Sequence, residues 1–170
     1  MVGAVWQIQF KGNVLEQASE LEYAGFWSRV GASLIDTILI SILVFPMLLS
    51  VYGTAYLGSE AFIAGPADFL ISYVLPAAIV VLLWVKLSTT PGKMAIGATI
   101  VDARTGGKPT STQFVIRYIG YYVSMLPLFL GFIWVGFDAR KQGWHDKMAG
   151  TVVVRRKGGA AEPVRFEKNP

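Results

Sequence analysis

The apolar positions of this chain come in unbroken blocks. They follow neither the alternation of a half-buried strand nor the 3.6-residue rhythm of a surface helix. Val30–Val51 holds one charged residue in 22, Asp36; Phe69–Val85 holds none in 17, and Tyr118–Phe137 none in 20. A bilayer core of about 30 Å takes roughly 20 such residues per helix, so the pattern predicts membrane segments over about 30–51, 69–87 and 118–137. The third carries Pro127 at its middle and Gly131 soon after. A proline removes a helix hydrogen bond and clashes with the preceding turn. Two half-helices of about nine residues each are therefore expected there, entering the bilayer and returning. Such a break must be buried in protein or line a wet cavity. Between the blocks, Trp6–Lys11 alternates at strand period, and Ala98–Val101 and Thr151–Arg155 are short β-branched runs. If the third segment returns, all three runs share one side and form a small sheet.

The expected fold class is an all-α membrane protein with two full transmembrane helices, a broken or re-entrant third segment and a small cytoplasmic β-element. Residues 1–22 read as an N-terminal cytoplasmic segment, 23–155 as the membrane domain and 156–170 as a mobile tail. Composition agrees. Of 170 residues, 54% are apolar and 15% charged, with mean hydropathy +0.51; a soluble domain carries roughly 25% charge. This excludes a secreted disulfide scaffold, a soluble enzyme core and a disordered tail protein. With no cysteine, thiol catalysis, iron–sulfur clusters and cysteine–zinc sites are excluded too. The N-terminus lacks the apolar core of a signal peptide.

Charge decides the expected topology. Two of the fifteen basic residues precede the first block, none lies in 52–68, five lie between Lys86 and Arg117, and eight follow Phe137. Three full spans would divide them almost evenly, whereas two spans and a return put all on one side, as the positive-inside rule favours. The reading is a plasma-membrane protein with cytoplasmic N-terminus and tail. The bilayer is the first partner, a homo-oligomer or another membrane subunit the second, and nucleic acid is not one. Small basic polar parts suit anionic lipid heads better.

Asp36 needs the most explanation. It lies about two turns inside an apolar block, where an ionisable group marks a functional-site hypothesis. Arg29, seven residues earlier, falls within 20° of the same helical face and about 10 Å along the axis. Ser33 lies between them, and Thr37 and Ser41 widen the stripe. Three readings stay open: Asp36 bonds neighbouring helices, it titrates in ion transport, or the stripe docks another subunit. Arg117, Tyr121 and Ser124 share one face of the third segment, and Ser72 and Tyr73 of the second are candidate donors to Asp36. Asp102 closes a strand and is expected to bond the turn amides after it. His145, the only histidine, reads as a surface or capping residue. No phosphate-cradling loop, Gly-x-Ser-x-Gly or His-Glu-x-x-His motif occurs, so no cofactor, metal or enzymatic activity is expected.

Several strings together resemble the RDD family of membrane proteins. Tyr23–Asp36 is similar to its opening, and Thr90-Pro91-Gly92-Lys93-Met94, Val101-Asp102 and Gly143–Thr151 to its later blocks, in order, over about Tyr23–Arg155. The family is named for one arginine and two aspartates, which by motif position fall on Arg29, Asp36 and Asp102. The resemblance implies a multi-pass protein of three or so spans, one more than the charge count favours. Some relatives have been proposed to exchange sodium for protons. The functional expectation is cation (sodium)–proton exchange, with Asp36 binding the ion or proton, Arg29 tuning it and Asp102 ordering the inner mouth. Ser33, Tyr121 and Arg117 would give supporting polar contacts. The alternative is a non-catalytic assembly or scaffold subunit.

Overall fold

The computed structural model describes residues 21–156; the Trp6–Lys11 run and the charged tail lie outside them. Strand β1 (Leu21–Tyr23) leads through Ala24 and Gly25 into helix α1 (Phe26–Tyr52), which a 3-10 stretch extends to Gly58. Helix α2 (Pro66–Leu87) opens with proline, the favoured first helical residue, and carries a π turn at Leu70–Val74 just before Pro76. Short helix α3 (Pro91–Ala95), strand β2 (Ala98–Asp102) and helix α4 (Ser111–Met125) follow. Then come α5 (Leu130–Ile133, continued by a 3-10 turn to Gly136), α6 (Trp144–Ala149) and strand β3 (Thr151–Arg156).

Among the described residues, two helices are long and apolar enough to cross a membrane: α1 with its extension, 33 residues, and α2, 22 residues. The third segment is bent by 114° between α4 and the α5 stretch. The break falls at Leu126–Phe129, where Leu128 and Phe129 have φ of 52° and 62°, beside the expected Pro127. The first limb starts earlier than hydropathy suggests. Thr110 and Gln113 form a reciprocal capping box that begins the helix at Ser111, adding a half-polar turn that apolar counting ignores.

The sheet decides whether the third segment crosses. Its order is β1-β3-β2, both pairs antiparallel. β1 precedes α1, β2 follows α2 and β3 follows the bent segment, so all three connections meet on one side and the bent segment leaves and returns. Two of the three runs expected in this sheet are in it; the third strand is Leu21–Tyr23. Val152, Val153 and Val154 of the central strand are buried on both faces. One face meets Trp84, from the end of α2, and Phe114 of α4, both fully buried. The two spans are almost bare by comparison: 6% of each span's apolar window is buried.

Because the chain lacks cysteine, single-cysteine labelling tests this layout. Cysteines at Lys108 and Arg156 are expected to react from the same side, and one at Thr54 from the other. Labelling of Lys108 and Arg156 positions from opposite sides would show that the third segment crosses.

Candidate functional site

Asp36 sits where the two spans meet the polar layer. Its carboxylate accepts hydrogen bonds from Thr90 Oγ1 (2.5 Å) and the Gly92 backbone N–H (2.7 Å), and lies 3.7 Å from Lys93 Nζ. Lys93 Nζ also donates to Thr90 Oγ1 at 3.2 Å. Pro91 opens α3, and Asp36 meets one of the free amides that every helix start leaves. Gly92 is required by proximity: a Cβ there would lie 2.0 Å from the Ala32 carbonyl oxygen and 2.9 Å from Asp36 Cγ. The Thr-Pro-Gly-Lys string is thus a clamp fitted to α1 at Ala32 and Asp36.

This clamp fixes the depth of Asp36. Its partner Thr90 lies three residues beyond the end of α2, while Tyr52 and Tyr56 at the far end of α1 bond Asp68 near the start of α2. The stretch of α1 alongside α2 therefore begins near Asp36, and the first ten residues of α1, about 15 Å, stand beside the polar layer. Asp36 therefore lies at the end of the α1–α2 pair nearest the sheet.

Arg29 does not reach Asp36. Its guanidinium donates to Asp146 Oδ2 (2.6 Å), the Lys141 carbonyl (2.6 Å) and the Ala24 carbonyl (2.8 Å). Asp146, fully buried in α6, is also ion-paired with the buried Arg117, which donates to Thr151 Oγ1 at 2.9 Å. The Gly143 amide donates to Asp146 at 3.0 Å. One carboxylate therefore joins α1, α4, α6 and the start of β3. Burial alone would raise the Asp146 carboxyl, but Arg117, Arg29 and the Gly143 amide outweigh it and hold it below the usual carboxylate range.

Next to this knot His145 is buried, contrary to the surface role expected of it. It packs edge-on against Tyr121 at 4.5 Å and beside Phe132 at 5.1 Å, with Ser124 Oγ 3.3 Å from Nδ1. A Cβ on Gly120 would lie 2.8 Å from His145 Cα, so the glycine lets α4 and α6 touch. Burial first, then the charges of Arg117, Arg29 and Lys93, push the imidazole down to about 3 against the pull of Asp146. The folded protein therefore keeps His145 neutral where the unfolded chain protonates it. That stabilisation is complete above about pH 6.5 and is lost as pH falls toward 3. The melting temperature of detergent-solubilised protein is expected to fall across this window, and His145→Asn to flatten the slope; an equal slope in the variant would assign it to other groups.

Trp84 stands between the two clusters. Arg117 lies over its ring at 5.4 Å and Lys93 at 5.9 Å, with Tyr121 edge-on at 5.5 Å. Asp102 forms a third anchor. It accepts from the Arg104 and Thr105 amides at 3.0 and 2.8 Å, as its turn position suggested, and from Gln113 Nε2 at 2.7 Å. Burial would raise its carboxyl, and these bonds lower it overall. Among the described residues no three His, Asp or Glu side chains converge as a metal ion would need.

A model of the RDD family matches residues 23–150, most of the chain. The chain belongs to the RDD family. Relatives include the "Uncharacterized membrane protein YteJ" of Bacillus subtilis, 32% identical over 140 residues that cover 79% of this chain and 82% of that one. The "Uncharacterized protein YxaI" of the same organism is 27% identical over 154 residues, 77% of this chain and 96% of its own length. The "Uncharacterized protein RP437" of Rickettsia prowazekii is 36% identical over 72 residues, 42% of this chain but 39% of its own. No solved structure matches.

The three RDD-motif positions thus serve three separate joints. Arg29 ties α1 to α6, Asp36 ties α1 to α3, and Asp102 ties the β2 turn to α4. None bonds another. Arg117, Tyr121 and Ser124 do share one inward face, around His145 and Asp146, whereas Ser33 is exposed on α1. Ser72 bonds Asp68 at 2.6 Å, at the end of α2 away from Asp36. Sequence reasoning missed Asp146, Lys93 and Trp84 as functional candidates, although Gly143–Lys147 and Thr90–Met94 mark two of the three.

Proposed function

We propose that this RDD protein is a non-catalytic assembly subunit of the plasma membrane. Its first span docks another span, in the simplest case α1 of a second copy. The supporting observation is the hydroxyl stripe Ser33, Thr37 and Ser41. These recur every fourth residue, so they share a face; all are exposed, and none has a hydrogen-bond partner among the described residues. Thr37 and Ser41 lie past Asp36, alongside α2, where small hydroxyl side chains let helix backbones approach and bond across the seam. The buried charges, by contrast, are engaged with one another inside the chain. Every basic residue precedes Val30, lies in 86–117 or follows Phe137, which supports a cytoplasmic sheet side. Oxidative cross-linking in native membranes is expected to give a covalent dimer from Thr37→Cys and none from Ile42→Cys, about 140° round the helix. A monomer at both positions would sink self-docking.

Cation–proton exchange, with sodium as the cation, is the second reading, and one observation favours it. Asp36, within ion-pair reach of Lys93, lines a cleft between the spans. In everted vesicles, sodium-dependent proton movement that survives Asp36→Asn eliminates this mechanism. Flux lost in that variant, with cross-linking at Thr37→Cys retained, supports it.

A further inference from the structure

The same cleft has one polar end and two apolar walls. Leu39 and Leu43 of α1 face Ile79 and Leu83 of α2, and Asp36 and Thr90 close the end nearest the sheet. Its volume is about 130 Å³. An engineered apolar cavity of about 150 Å³ takes up benzene, so the cleft matches a stretch of about six chain carbons. Leu39 and Leu43 are each 45% exposed, which opens the cleft sideways at hydrocarbon depth.

Its mouth is positively charged. Lys93 compensates Asp36 at 3.7 Å. Exposed Lys86 lies seven residues after Ile79, within 20° of the same face of α2, and Lys108 Nζ donates to the Lys86 carbonyl at 3.2 Å, bringing a second ammonium group to the end of that span. Apolar walls that begin at that end, under cations, are complementary to one kind of molecule. The geometry points to an anionic phospholipid of the sheet-side leaflet as the occupant of this cleft. The first methylenes of one acyl chain lie between Leu43 and Leu83, and the phosphate lies at Lys86 and Lys108. The hydroxyl stripe of α1 is on a different face, so this site and the proposed docking seam stand or fall separately.

Native mass spectrometry of the full chain, purified in detergent and offered phosphatidylglycerol or phosphatidylcholine, tests the assignment. Wild type is expected to retain one phosphatidylglycerol per chain with at least tenfold preference over phosphatidylcholine. Leu43→Trp, which fills the cleft, is expected to abolish retention, and Leu82→Trp, on an exposed face, to leave it intact. Lys86→Gln and Lys108→Gln are surface changes that spare the fold, and each is expected to weaken phosphatidylglycerol binding about fivefold. Equal retention of the two lipids, retention undiminished in Leu43→Trp, or preference unchanged in the double lysine variant would each overturn the site.

Discussion

Replacing Asp146 by asparagine is expected to cost about 3–5 kcal/mol, the range for removing one partner of a buried ion pair. The magnitude follows from what is left behind. Asparagine keeps the shape and can still accept from the Gly143 amide, but Arg117, 1% exposed, and the largely buried Arg29 lose their shared counter-charge. Two cations would then face each other where water cannot screen them. Arg29→Met alone removes one of them and is expected to cost less, because Arg117 still balances Asp146. Combining Arg29→Met with Asp146→Asn is expected to recover part of the loss, a coupling that a double-mutant cycle measures. The readout is the thermal midpoint in detergent, with protease sensitivity of the sheet as a second probe. A shift of Asp146→Asn below about 1 kcal/mol would mean that the knot contributes little to holding α1, α4 and α6 together.

Gly92→Ala is expected to be the other large effect, near or above the 1–3 kcal/mol typical of overpacking. The added methyl would meet the backbone carbonyl of Ala32 at 2.0 Å, not the end of a flexible side chain. α3 must therefore withdraw from α1, and Asp36 loses the Gly92 amide and the Thr90 hydroxyl together. Gly31→Ala is the control, since nothing lies within 4 Å of a Cβ there and alanine favours the helix by about 1 kcal/mol. A Gly92→Ala protein that melts with wild type would refute the clamp.

The legibility of this fold in its sequence was uneven for physical reasons. Span α2 reads directly from hydropathy, because lipid contact is one-body chemistry: each side chain answers to its own solvent. The return of the third segment reads from the one-sided distribution of basic residues, and Pro127 marks its break within a residue or two. The polar stripe on α1 was also legible, since helical arithmetic fixes a face. What stands opposite that face is not written in any periodicity. Arg29 and Asp36 share a side of α1, yet Lys141 and Asp146 reach Arg29 from 112 and 117 positions away, and Thr90 reaches Asp36 from 54. Nothing local distinguishes Asp146, which receives two arginines, from Asp138, whose ion-pair partner is the exposed Lys147.

Strand β3 occupies the middle of its sheet, so β1 and β2 touch it and not each other. Yet β3 is translated after both of them and after every membrane segment. Two strands therefore wait for a common partner that is the last of the three to be synthesised. Closure of this layer depends on the segment that carries the chain back from the bent pair of helices.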